Sequence, residues 1–75
     1  MRFWYLVEAR CALDGDKIAK HAHAARIVDV CPRRGNTPPR VVSHVQSDTE
    51  YIYREWLPTR KDADRAIRTW KGKEQ

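Results

Sequence analysis

The segment from Glu50 to Gly72 constrains the fold most, because it predicts an aromatic strand that runs directly into a capped helix. Tyrosines and a tryptophan predict the strand, and Pro58 ends it. The hydroxyl of Thr59 predicts the helix N-cap, and Gly72 is typical of a left-handed residue just past the helix end. The apolar residues between them recur at i, i+3, i+4 and i+7: Ala63, Ala66, Ile67 and Trp70. The rest of the chain must therefore supply a surface that buries this stripe.

The upstream segments predict that surface as a sheet. Alternating side chains from Arg2 to Leu13 predict a first strand, and Asp14-Gly15-Asp16 predicts a tight turn. A second strand with a bulge is expected over 20–31, with a short helix over 17–26 as the open alternative because that stretch is rich in alanine. A proline-rich loop over 32–39 and a third strand from Arg40 to Gln46 follow.

These elements predict a single domain over 1–75 of the α+β class. An antiparallel sheet of three or four strands carries one C-terminal helix on one face and leaves the other face open. Phe3, Tyr5 and Val7 are expected to point toward the helix, and Trp4, Leu6 and Arg10 away from it. The last strand has two alternative registers, which place either Arg54 with Trp56 or Tyr51 with Tyr53 on the open face.

The charge balance indicates an acidic partner. Lys and Arg number 15 against 10 Asp and Glu, which gives a net charge of +5. The excess lies in residues 32–44 and 54–75, each at +3. No apolar run approaches the roughly 20 residues that cross a bilayer. The sequence therefore predicts a cytoplasmic protein with no membrane partner.

The candidate metal ligands lack a recognised spacing. His21 and His23 form an HxH pair, but His44, Cys11 and Cys31 complete no known ligand pattern. No metal or cofactor is predicted. The two cysteines fall in predicted strands, and whether they pair is left open by the sequence.

The chain lacks the GxSxG, HExxH and glycine-rich phosphate-loop motifs, so no enzyme activity is predicted. A small ribonuclease toxin is the one enzymatic alternative. Its acid–base and phosphate-stabilising groups would be His44, Tyr51, Tyr53 and Arg54.

The run Thr59-Arg-Lys-Asp-Ala63-Asp-Arg-Ala66-Ile67, which follows the predicted strands, resembles the helix of small DNA-binding modules. These are the plant-type AP2 domain and the arm-binding domain of phage tyrosine integrases. Such modules place an open sheet face in the major groove. The resemblance implies that Arg10, Arg40 and Arg54 face the groove, with Arg33 and Arg34 on flanking phosphates.

We therefore expect a small basic binding module that contacts nucleic acid through an open face of aromatic residues and arginines. The candidate binding residues are Trp4, Arg10, Arg33, Arg34, Arg40, His44, Arg54, Lys61, Arg65 and Arg68. The alternative is an inhibitor that blocks a host nucleic-acid-handling protein complex with the same surface, because the chain is similar in genre to phage and mobile-element accessory proteins such as anti-CRISPR proteins. DNA, RNA or protein as partner, and a homodimer, are left open.

Overall fold

A computed structural model describes residues 1–41 and 43–72. Within these ranges the chain forms five strands and one helix. They are β1 (Arg2–Asp14), β2 (Lys17–Ile18), β3 (Ala24–Arg33), β4 (His44–Gln46), β5 (Glu50–Leu57) and α1 (Arg60–Trp70). None of the helical residues described forms a segment long and apolar enough to cross a membrane.

All strand pairs are antiparallel, and the long strand β1 lies at the centre of the sheet. Strand β5 pairs with one edge of β1, while β2 and β3 share the other edge. Strand β4 extends the sheet beyond β5. The predicted α+β fold with a helix on an antiparallel sheet is confirmed. The strand number exceeds the expected three or four because β2, of two residues, pairs separately from β3.

The helix begins and ends where the sequence predicts. Thr59 Oγ1 accepts a hydrogen bond of 3.0 Å from the backbone N–H of Asp62, and Gly72 has a φ of +72°. Ala63 is fully buried, and the rings of Trp70 and Tyr53 form a T-shaped contact with 5.2 Å between their centroids. Hence the predicted apolar stripe is the face that packs on the sheet.

The strand register settles which side chains share each face. Ala9 lies opposite Tyr53, which contacts the helix residue Trp70. The odd-numbered residues of β1 therefore face the helix, and Val7 among them is fully buried. Glu8 lies opposite Arg54, and Leu6, two residues before Glu8, lies opposite Trp56, so both pairs face the same side. Of the two registers that the sequence left open, the structure has the one with Arg54 and Trp56 on the open face.

Residues 17–26 form neither of the two predicted elements in full. After β2, an excursion over 19–23 leaves the sheet and meets the end of α1, where the buried Ala22 donates its N–H to the carbonyl of Trp70 at 2.7 Å. This contact satisfies a helix-terminal carbonyl, which explains why the strand is interrupted. Strand β3 then contains the predicted bulge, because its register with β1 skips Val28.

The boundaries around the proline-rich loop differ from the prediction. Strand β3 continues through Pro32 to Arg33, because a proline on an edge strand need not donate to a ladder. The third predicted strand was too long, since β4 covers only His44–Gln46. In the preceding connection, the carbonyl of Arg40 accepts a hydrogen bond of 3.4 Å from the Nε1–H of Trp56 on the open face.

Candidate nucleic-acid interface on the open sheet face

The open face is the side of the sheet opposite α1, and it is rich in charged side chains. The register assigns it these residues: Arg2, Trp4, Leu6, Glu8 and Arg10 of β1; Arg26, Asp29, Cys31 and Arg33 of β3; Glu50, Ile52, Arg54 and Trp56 of β5. The charges divide into a centre with ion pairs and an end whose arginines have no ion pair in the described ranges.

The centre of the open face is a network of ion pairs. The carboxylate of Glu8, a residue only 7% exposed, accepts from Arg54 Nε at 2.9 Å and from Arg10 Nε at 3.2 Å. Arg10 Nη1 also reaches Glu50 Oε1 at 3.1 Å, and His23 Nε2 lies 3.1 Å from Glu50 Oε2. We call these five residues the central network. Arg10 and Arg54, predicted to face a partner, are engaged within the fold.

The central network fixes the charge of Glu8. The hydrogen bond from Arg54 is the largest influence and lowers the pKa of Glu8. Burial acts in the opposite direction, and the hydrogen bond from Arg10 adds to the lowering, so the net pKa lies below the ordinary value. The carboxylate therefore stays ionised at neutral pH and compensates the two guanidinium groups beside it.

An open depression of about 210 Å³ adjoins the central network. It is lined by Glu8, Arg10 and Arg26 together with two small residues, Ala24 and Ala25. Arg26 adds a positive charge on the β3 side of the depression, opposite Glu8 in the register. The centre of the face thus offers one more cation than its ion pairs use.

The N-terminal end of β1 carries arginines of a different kind. Arg2 lies directly opposite Arg33 across the β1–β3 ladder, and Arg34 follows in the chain. Neither Arg2, Arg33 nor Arg34 forms an ion pair with a carboxylate in the described ranges. We call these three residues the arginine end. Like charges directly opposite each other destabilise a sheet, so the arginine end costs stability in the free protein.

Trp4 lies on the open face as predicted, but the expectation that its side chain is exposed was wrong. It is 7% exposed, with Cys31 as its cross-strand neighbour and the Arg2 guanidinium carbon 5.9 Å from its ring centroid. Its Nε1–H is buried without a hydrogen-bond partner in the described part of the chain. A buried indole ring cannot stack on a nucleic-acid base unless it moves. The side chain that a partner can reach at this position is therefore Arg2, which lies over the Trp4 ring.

His44 was predicted on the open face and lies on the helix side instead. It pairs with Tyr53 in the β4–β5 ladder and stacks on Tyr51 at 6.0 Å, with 11° between the rings. The ribonuclease alternative combined these three residues with Arg54, which lies on the other face. That set therefore does not come together in one site.

The exposed cations of the helix are also separated from the open face. Lys61, Arg65 and Arg68 are solvent-exposed on α1, whose opposite side packs on the sheet through Ala63. The sheet separates these three side chains from Arg33 on the open face. Their role as phosphate contacts stays a prediction. Within the helix, the carboxylate of Asp64 pairs with Arg60 at 3.4 Å.

The histidines and cysteines occupy separate places. The His21 ring lies against Gly72, whereas His23 contacts Glu50. Cys11 and Cys31 lie on opposite faces of the sheet, so they do not form a disulfide with each other, and burial raises the pKa of Cys11. In the described ranges, no three side chains of the His, Cys, Asp and Glu types are grouped as metal ligands.

Sequence reasoning missed the residues that organise the open face: Arg2, Glu8, His23, Arg26 and Glu50. A signal existed for two of them, since Arg2 and Glu8 share the parity of Trp4 and Arg10 along β1. The others depend on pairings between distant strands, which an alternation pattern in one strand does not reveal.

Neither a protein-family model, nor a curated protein, nor a solved structure matches this chain. The resemblance to the AP2 and integrase arm-binding modules stays a prediction.

Proposed function

We propose that this protein is a small, non-enzymatic module that binds the phosphate backbone of nucleic acid with its arginine end. The observation that carries the proposal is the cross-strand pair of Arg2 and Arg33, two cations held side by side without a carboxylate in the described ranges. A phosphate group between them would relieve their repulsion and accept hydrogen bonds from both guanidinium groups.

The same face supports the proposal by contrast. Where an arginine serves the fold, as Arg54 does, a buried carboxylate meets it at 2.9 Å. The fold therefore pairs Arg10 and Arg54 with carboxylates in the centre of this surface and leaves the arginine end without such partners in the described ranges. Such local costs to stability are typical of functional positions.

The binding mode that follows is recognition of the backbone rather than of base sequence. Trp4 is buried, and Trp56 is half-buried with its N–H donated to Arg40, so stacking on bases contributes less than the sequence predicts. Arg40, whose carbonyl contacts Trp56, is exposed and is a further candidate for a phosphate contact near this face. A cytoplasmic location, where nucleic acid is accessible, stays a prediction.

The test is fluorescence anisotropy with duplex and single-stranded oligonucleotides over a range of salt concentrations. Three phosphate contacts should give a log–log slope near −3 for duplex DNA. The double variant Arg33→Ala with Arg34→Ala should weaken binding and flatten the slope by about 2. The matched control, Lys61→Ala with Arg65→Ala, removes the same charge from the helix side and should retain the steeper slope.

Equal losses in the two double variants would mean that net charge, rather than the arginine end, drives binding. Absence of binding at low salt would overturn the proposal.

An inhibitor of a host nucleic-acid-handling complex is the second candidate function. It is favoured by exposed apolar side chains at the same end of the molecule, where Phe3 is 50% exposed and Val30 is also exposed. Exposed apolar residues next to arginines are typical of protein interfaces. In this case the protein should co-purify with a host complex, and Phe3→Ser should abolish that association.

A further inference from the structure

We propose that two copies of this chain pair through β3, in antiparallel orientation about a two-fold axis between Ile27 and Val28. The partner of this surface is thus a second copy of the same strand. This inference concerns an edge of the sheet and does not rest on nucleic-acid binding.

Strand β3 is a long edge. Among the described residues, 1–41 and 43–72, its ten residues pair with β1 alone, and no strand lies on its other side. The N–H of Val30 donates to the side chain of Asp29 at 2.8 Å, and pairing with a second strand would replace this local hydrogen bond. Val28 and Val30 are 37% and 47% exposed. A free edge with exposed valines is a template for pairing with another strand.

Because of the bulge, residues of β3 that flank Ile27 and Val28 at equal distances have their side chains on the same face of the sheet. Residues three apart normally lie on opposite faces of a strand, but Arg26 and Asp29 lie opposite Glu8 and Leu6, so both lie on the open face. Ala25 and Val30 both lie on the helix side for the same reason. Antiparallel pairing about the proposed axis therefore joins residues that share a face.

The charges of Arg26 and Asp29 favour this register over registers centred on either residue. Arg26 would lie opposite Asp29 of the partner subunit, and the symmetry repeats the pair, which gives two cross-strand ion pairs. An axis centred on Arg26 or on Asp29 would instead place like charges opposite each other. Ile27 and Val28 would meet at the axis, and Ala25 would cover the exposed Val30 of the partner subunit. The charges that discourage unspecific edge pairing thus specify one arrangement.

Charge reversal with sedimentation equilibrium tests the register. The native protein should approach twice the mass of the 8.8 kDa chain at high concentration. Arg26→Asp alone and Asp29→Arg alone should each shift the equilibrium toward monomer, and the double variant should restore the dimer. A monomeric native protein at its solubility limit would overturn the proposal, and so would a double variant that fails to recover. Circular dichroism of each variant establishes that it is folded.

A disulfide provides an independent measurement. Ala24 would lie opposite Cys31 of the partner subunit, at a separation that suits a disulfide between antiparallel strands. In a Cys11→Ser background, Ala24→Cys should give a covalent dimer under mild oxidation. The matched control Ala25→Cys faces the other side of the sheet and should cross-link much less. Equal cross-linking of both variants would overturn the register.

Discussion

The centre of the open face and its arginine end contain the same residue type in opposite electrostatic settings. In the centre, Glu8 neutralises Arg10 and Arg54 with hydrogen bonds of 3.2 and 2.9 Å. At the end, Arg2 and Arg33 lie side by side without a carboxylate in the described ranges. The difference teaches that positive charge in the sequence is not equivalent to positive charge available to a partner. The first group stabilises the fold, and the second weakens it.

Replacing the anion of the centre should have the largest effect. Glu8→Gln should lower the free energy of unfolding by about 2 kcal/mol, because two arginines then lack their common partner. The effect stays below that of a fully buried pair, since the side chains of Arg10 and Arg54 are 39% and 30% exposed. Urea unfolding measures it. Asp48→Asn, which removes an exposed carboxylate from a turn, should change stability little, and an equal loss in both variants would contradict a structural role for the centre.

Low pH should reduce the stabilisation that the central network provides, because protonation of Glu8 removes the same negative charge as Glu8→Gln does. The folded-state pKa of Glu8 lies below its ordinary value of 4.5, so the native state binds this proton less readily than the unfolded state does. The stabilisation is fully present above pH 4.5 and is lost as pH falls through the lower folded-state value. The stability difference between the native protein and Glu8→Gln should therefore narrow as pH falls below 4.5. A difference that is constant down to pH 2 would contradict this assignment.

A substitution at the arginine end should change the free energy of unfolding least, and it should stabilise the protein rather than destabilise it. Arg33→Glu places a carboxylate opposite Arg2 and should raise the free energy of unfolding by about 0.5 kcal/mol. Binding to duplex DNA should fall by about tenfold or more, because one phosphate contact is lost and a repulsive charge is added. Arg54→Glu is the counterpart in the centre and should destabilise the protein, since it faces Glu8. Destabilisation by both variants would remove the distinction between the two regions.

The elements that could be predicted from the sequence are those determined by residues close together in the chain. The helix from Arg60 to Trp70 follows from its cap and its apolar stripe, and β1 follows from alternation. The candidate site depends on contacts between distant segments. The connection before β4 contacts Trp56 on the open face, and the short β4 places His44 on the helix side. Neither outcome could be derived from one strand alone. Arg10 was predicted on the open face, and Arg54 was placed there in one of two alternative registers. Their common anion Glu8 shares the alternation of Arg10 along β1, but its role emerges only from the pairing of β1 with β5.

The bulge at Val28 determines where the proposed two-fold axis lies, and the axis position sets the distance between the arginine ends of the two copies. With the two-fold axis between Ile27 and Val28, Arg33 of each copy lies about 18 Å from the axis at 3.3 Å per residue. The two arginine ends would then be about 36 Å apart on one side of a continuous sheet, which is close to one turn of B-form DNA. Such a dimer would favour duplexes that are long enough to contact both arginine ends. Duplexes shorter than about 10 bp should reach only one arginine end and bind more weakly than longer ones.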